Sequence, residues 1–260
     1  MAKKKSTATR RAEQTAAAER AAAIRKEQER KERRRRAFTV GGVVAAVLTL
    51  VLLAGYAVQS ARDTTGEAGA VPSGVVDEYA VPYGQESAPV TVTIYEDFMC
   101  PFCGDFEQAS EDMLEGYVDA GDVQVEYRAL SFLDRASDGS DYSTRAMNAL
   151  GVVLDTAGPD VAKRFHDLLF DDQPEEGTPG PTDDELIAYA VEAGASEDAV
   201  SRPIRDLEFE QWVLNATDAA SQEDVSSTPT VMVDGEVVEF ATIDELLANT
   251  DPAIQEGLGS

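Results

Sequence analysis

The stretch Pro89-Val90-Thr91-Val92-Thr93-Ile94-Tyr95-Glu96-Asp97-Phe98-Met99-Cys100-Pro101-Phe102-Cys103 decides the fold. Its first half is a β-branched run with partial alternation, the pattern of a strand. Its second half carries both cysteines of the chain. Beyond it Phe106, Met113, Leu114, Tyr117 and Val118 recur at helical spacing. That spacing predicts a helix from about Pro101 to Asp119, with the proline tolerated in its first turn. The cysteine pair therefore stands where a strand gives way to a helix.

Three chemistries compete for such a pair. A structural disulfide here closes a very small loop and constrains the unfolded chain little. A metal site lacks ligands, because the chain has one histidine and no second cysteine pair. A redox dithiol fits best. The attacking group must be a thiolate, and the unpaired N–H groups and field of a helix N-terminus favour that anion. Cys100, placed first, is expected to be exposed and to attack or be attacked. Cys103, one turn in, is expected to be shielded and to resolve mixed disulfides.

Composition sets the surroundings. The 260 residues suggest one or two domains. The net charge of -27 is unevenly spread. Residues 1–37 hold 14 Lys or Arg against 5 Asp or Glu, hence +9, while residues 59–260 hold 8 against 44, hence -36. So acidic a body is unsuited to nucleic acid, whose binding rests on phosphate neutralisation. Between them, residues 38–58 are uncharged and mostly apolar. A helix of that length, at about 1.5 Å per residue, crosses a hydrocarbon core of about 30 Å. Arg33 to Arg36 abut it on one side, and Asp63 and Glu67 follow on the other. The positive-inside rule puts 1–37 in the cytoplasm and the rest outside, on an uncleaved single-pass anchor in the cell membrane. Residues 59–75 read as a linker.

Further along, Val123 to Tyr127 reads as a second strand. Helices are expected over Ser143–Leu154, Asp160–Phe170, Asp183–Ala193 and Glu197–Ala219, the last with Pro203 in its first turns. Thr230 to Val233 reads as a strand, Asp234-Gly235 as a tight turn and Val237 to Phe240 as the return strand. Thr242 or Asp244 caps a final helix through Leu247.

This order, with Asp97-Phe98-Met99-Cys100-Pro101-Phe102-Cys103, Thr228-Pro229-Thr230 and the terminal hairpin, resembles the thioredoxin-like DsbA family in its membrane-anchored, Gram-positive branch. Lys163 to Phe170 and the following Pro174-Glu175-Glu176 look like that family's helical insertion. The resemblance implies an α/β thioredoxin fold over about residues 76–250, with the inserted helical domain at about 141–222 and a tail at 251–260. It implies that Pro229 is cis, that its loop faces Cys100 and Cys103, and that Thr228 presents backbone to a bound peptide. It implies neither cofactor nor metal. The expected clients are reduced or misoxidised exported proteins, and a membrane quinone-linked thiol oxidase would recycle the protein. Oxidation of client thiols is favoured. Reduction or isomerisation on the same fold is the alternative, and a non-catalytic peptide-binding module on a thioredoxin scaffold comes behind both. One departure stands out. The family's buried Glu, six residues before the first cysteine, is Ile94 here. Glu96, two residues on, either substitutes for it or is solvated, and the solvated reading is favoured. His166 is expected to pack or cap within the insertion and to take no direct part in catalysis.

Overall fold

A computed structural model describes residues 68–259. The basic tail, the apolar run 38–58 and most of the expected linker lie outside the described residues. Among the described residues no helix is long and apolar enough to cross a membrane.

Five strands form one sheet in the order β1-β3-β2-β4-β5. They are β1 (Val81–Gly84), β2 (Val90–Glu96), β3 (Val123–Ala129), β4 (Thr230–Val233) and β5 (Glu236–Val237). β2 pairs in parallel with β3, with Ile94 beside Tyr127, and antiparallel with β4, with Ile94 beside Val231. β2 has both of its faces covered, so it needs apolar residues on both. Val90, Val92 and Ile94 accordingly enter the main core, and Tyr95 enters a smaller cluster with Leu130, Ala220 and Val225.

The parallel pair needs a crossover, and α1 (Pro101–Ala120) provides it. Its buried residues Cys103, Phe106, Ser110, Leu114 and Val118 follow a three-to-four-residue spacing, so one stripe faces the sheet. Gly121 ends the helix in the left-handed conformation, where its N–H caps the carbonyls of Tyr117 and Val118. The C-terminal helix α7 (Ile243–Gly257) packs beside α1 and against β4.

Between β3 and β4 the chain builds a helical block from α2 (Tyr142–Ala157), α3 (Pro159–Asp171), α4 (Asp183–Ala193), α5 (Glu197–Arg205) and α6 (Glu210–Gln222). Twelve of the sixteen residues of α2 are buried, which makes it the axis the others pack around.

The structure departs from the sequence reading in four places. β1 carried no readable signal, since an edge strand of four residues containing Pro82 has almost no period. The return strand is only two residues long. The last helix runs on through Gly257, with Pro252 inside it. The expected helix over Glu197–Ala219 is two helices, and Pro203 lies in the last turn of the first. Leu207 takes a positive φ of 51° at the break. The amide of Asn148, buried on α2, spans that break: its Nδ2 donates to the Ile204 carbonyl at 3.3 Å and its Oδ1 accepts from the Phe209 N–H at 2.8 Å.

Replacing Asn148 by Ala leaves those two backbone groups without their partner. Each buried group left unsatisfied costs about 1–3 kcal/mol. The expected result is a lower urea midpoint with an unchanged m-value; a variant with the parent's midpoint would show that Asn148 does not hold the break.

Candidate active site

β2 ends at Glu96, and four residues later Cys100 occupies the N-cap of α1, with φ -79° and ψ 114°. Pro101 takes the first helical position, where a missing N–H costs nothing. The N–H groups of Cys103 and Gly104 donate to the Cys100 carbonyl at 3.0 and 3.2 Å. No side chain caps this helix end. Its field is therefore left to the sulfur.

The connecting loop is held by one carboxylate. Asp97 is fully buried and accepts from the Met99 N–H at 2.9 Å, the Leu133 N–H at 2.9 Å and the Ser143 hydroxyl at 2.7 Å. Burial pushes its pKa up to about 6 against the pull of these bonds. A second brace comes from the helical block. Gln173 donates through Nε2 to the Cys100 carbonyl at 2.9 Å and to the Phe98 carbonyl at 3.2 Å. Gly104 makes room for it, because a Cβ there would stand 2.4 Å from the Gln173 amide oxygen.

Both cysteines are free thiols. Cys100 is 5% exposed and Cys103 1% exposed. The expectation of an exposed Cys100 is therefore corrected. The loop before β4 covers it, and its Sγ lies 3.4 Å from the Thr228 carbonyl oxygen. The Thr228–Pro229 peptide bond is cis. Thus the cis-proline loop of Thr228 and Pro229 meets the cysteine pair, and Phe102, which stands between the two cysteines in the chain, is 60% exposed.

The two thiols are driven apart electrostatically. The hydrogen bond from Cys103 holds the Cys100 pKa down. Burial opposes it, and bonds from the Thr228 side chain and the Cys103 and Phe102 N–H groups assist, with a net value of about 6. Burial, then the bond to Cys100 and the charge on that sulfur, push Cys103 well above its ordinary range.

Behind the helix lies a polar cluster that sequence reasoning did not assemble. Glu96 is not solvated; it is fully buried, because the strand stays regular to its end and carries Ile94 and Glu96 on one face, under α1. His166, on α3, places Nε2 at 2.8 Å from Glu96 Oε1 and Nδ1 at 3.2 Å from Asp167 Oδ1. Its ring packs on Tyr127, centroid to centroid 4.1 Å, and edge-on to Phe98. Burial alone would lower the His166 pKa; the charge of Glu96 and the bonds to Asp167 and Glu96 overcome it and hold the value up at about 10. Glu107, one turn beyond Cys103, approaches the same place. Burial and the Glu96 charge raise its pKa to about 8. Glu107 stands four residues after the stripe position Cys103, and that is the one signal for it in the sequence.

Buried thiols of opposed acidity on a strand-to-helix turn, facing a cis-proline loop, define a dithiol oxidoreductase site on a thioredoxin fold. The comparisons agree. A family model described as thioredoxin matches residues 77–251. Serine/threonine-protein kinase PknE of Mycobacterium tuberculosis is 32% identical over 163 residues, which cover 60% of this chain and 29% of the kinase. The chain thus spans under a third of that relative's length. Reduced DsbA of Mycobacterium tuberculosis is similar at 29% identity and a TM-score of 0.56, covering 69% of this chain and 98% of that one. The reduced DsbG of the same organism is similar at 30% identity and a TM-score of 0.56, covering 70% and 93%. The chain belongs to the thioredoxin family, among the DsbA-type thiol–disulfide oxidoreductases.

Two measurements follow from the Cys100 environment. Thiolate absorbance of the reduced chain is expected to titrate with a midpoint near pH 6, and the signal should vanish in Cys100→Ser. A midpoint near 9 would contradict the site geometry. The linkage sign follows from a depressed folded-state pKa. Stability supplied by the Cys100 thiolate is present above the unfolded-state pKa and lost as pH falls through about 6. The reduced chain should therefore gain stability over Cys100→Ser between pH 6 and 9, as read by denaturant unfolding.

Proposed function

We propose that this protein is an extracytoplasmic thiol oxidase, held to the cell membrane by residues 38–58 with its N-terminus in the cytoplasm, that passes the Cys100–Cys103 disulfide to exported proteins. The observation that carries the reading is the split between the two thiols, one held down near 6 and the other pushed well above 9. A stabilised Cys100 thiolate favours the reduced form, and a protein whose reduced form is stabilised is an oxidant.

The reaction balances as follows. A client thiolate attacks Cys100 Sγ, a client–Cys100 bond forms, and the Cys100–Cys103 bond breaks. The electron pair goes to Cys103, which leaves into a buried setting and takes a proton. A second client thiolate then attacks the client sulfur, and Cys100 leaves as thiolate. The client has lost two electrons and two thiol protons, one taken by Cys103 and the other released to solvent, and the protein holds Cys103 as thiol and Cys100 as thiolate. A thiol of low pKa is a good leaving group, so Cys100 departs readily in the second step. Glu96, buried on the face of β2 that carries Ile94, takes the place of the family's proton-handling carboxylate; its charge acts on Cys103. Thr228 supplies its backbone beside Cys100 to an extended client segment, Pro229 shapes that loop, and Phe102 offers an apolar lip. A membrane thiol oxidase linked to quinone restores the disulfide.

Cys103→Ala leaves Cys100 able to form mixed disulfides that nothing within the chain resolves. Expressed in oxidising export conditions, this variant is expected to accumulate adducts with exported proteins, and Cys100→Ala none. A redox titration against glutathione decides direction, since each 30 mV is about 1.4 kcal/mol for this two-electron couple. A potential near that of DsbA, about -120 mV, supports the oxidase; one near -270 mV, as in thioredoxin, supports a reductase. Absence of any adduct would favour a non-catalytic binding module.

A further inference from the structure

We infer that Glu96, Glu107 and His166 form a binding site for a divalent transition-metal cation, directly behind the active-site helix. The inference rests on the geometry of the cluster and not on the direction of the thiol reaction.

One ligand atom from each of the three side chains lies within 4.8 Å of the other two. Metal–ligand bonds of about 2.0–2.2 Å allow donor atoms at most about 4.4 Å apart, so the three need draw together by less than an ångström. Two oxygens in this cluster, Glu96 Oε2 and Glu107 Oε1, are enclosed and have no hydrogen-bond partner. Buried carboxylate oxygens without a donor are costly, and a cation is one group that satisfies both at once.

His166 is set up as a ligand. Metal-binding imidazoles donate their remote N–H to a carboxylate, which fixes the tautomer and aims the other nitrogen at the metal. Here Asp167 stands 3.2 Å from Nδ1, and Nε2 is turned toward Glu96. Asp167 is itself fixed by Lys163, whose Nζ is 2.5 Å from Oδ1. The Lys163–Asp167 pair is neutral as a whole, and a cation that displaces the protons of His166 and Glu107 leaves two carboxylates and a neutral imidazole, two negative charges in all. A divalent ion balances them. Two carboxylate oxygens and one imidazole nitrogen suit Zn(II), Mn(II) or Fe(II) in preference to the all-oxygen shells of calcium or magnesium.

One of the three ligands, Glu107, faces an open cavity. Glu107, Tyr127, Lys163 and Asp167 line a cavity of about 340 Å³ open on one side. Asp105, Glu111 and Glu115 stand along the same cavity. Their charge raises the local concentration of cations.

The test uses zinc on the full chain in detergent. The protein is held in its disulfide form, so that neither sulfur is available to the metal, and excess magnesium occupies surface carboxylates. Equilibrium dialysis is expected to retain one zinc per chain and to raise the thermal midpoint. Glu107→Gln and Glu96→Gln are each expected to weaken binding more than tenfold. Asp167→Asn should weaken it about 10–100-fold by releasing the imidazole. The paired change Glu111→Gln and Glu115→Gln should retain full stoichiometry. Glu107 is only half-buried, so its variant keeps the test valid if Glu96→Gln fails to fold. Two results overturn the site: no zinc retained by the parent chain, or zinc retained equally by Glu107→Gln.

Discussion

An anionic sulfur under a nearly closed surface is the constraint the rest of this molecule serves. Burial by itself drives a thiol toward neutrality. Cys100 escapes because donors converge on it from two segments: the Cys103 thiol with the N–H groups of Phe102 and Cys103 at the start of α1, and the Thr228 side chain on the loop before β4. Burial, its own bond to Cys100 and the charge on that sulfur send Cys103 in the opposite direction. One helix turn thus holds two chemically identical groups at different acidities, and the asymmetry gives the pair a direction of attack.

The helical block is usefully seen as part of the site. It contributes Ser143 to Asp97, Gln173 to the carbonyls of Phe98 and Cys100, and His166 to Glu96. Each contact joins residues at least 46 positions apart and lands on the short segment between the end of β2 and the start of α1. An insertion that only enlarged the domain would not concentrate its polar side chains there.

Much of this was legible in the chain. The β-branched run before Cys100 and the apolar spacing after it named the strand, the helix and the junction, because period-two and period-3.6 patterns are local. Thr228-Pro229 before a short β-rich run marked the loop that meets the cysteines only through resemblance. Glu96 was misread as solvated. Its position on the Ile94 face was correctly inferred from alternation, but the end of a strand lies at the rim or under cover depending on what packs there. Here α1 and α3 do the covering. The break between α5 and α6 was hidden for a similar reason, since its satisfying group, Asn148, comes from more than fifty residues away.

By itself the sequence determined which residues carry the chemistry: two cysteines at a strand-to-helix junction, in an acidic body behind an apolar run with a basic tail. Local patterning and composition suffice for that, because thiolate stabilisation at a helix end is a property of neighbours along the chain. Only the tertiary structure decided the environment of those residues. It closed a loop over Cys100, buried Glu96, and brought Glu107 and His166 to it from separate helices. Desolvation and charge pairing depend on distance through space, and the separations that matter here span up to 128 residues of chain.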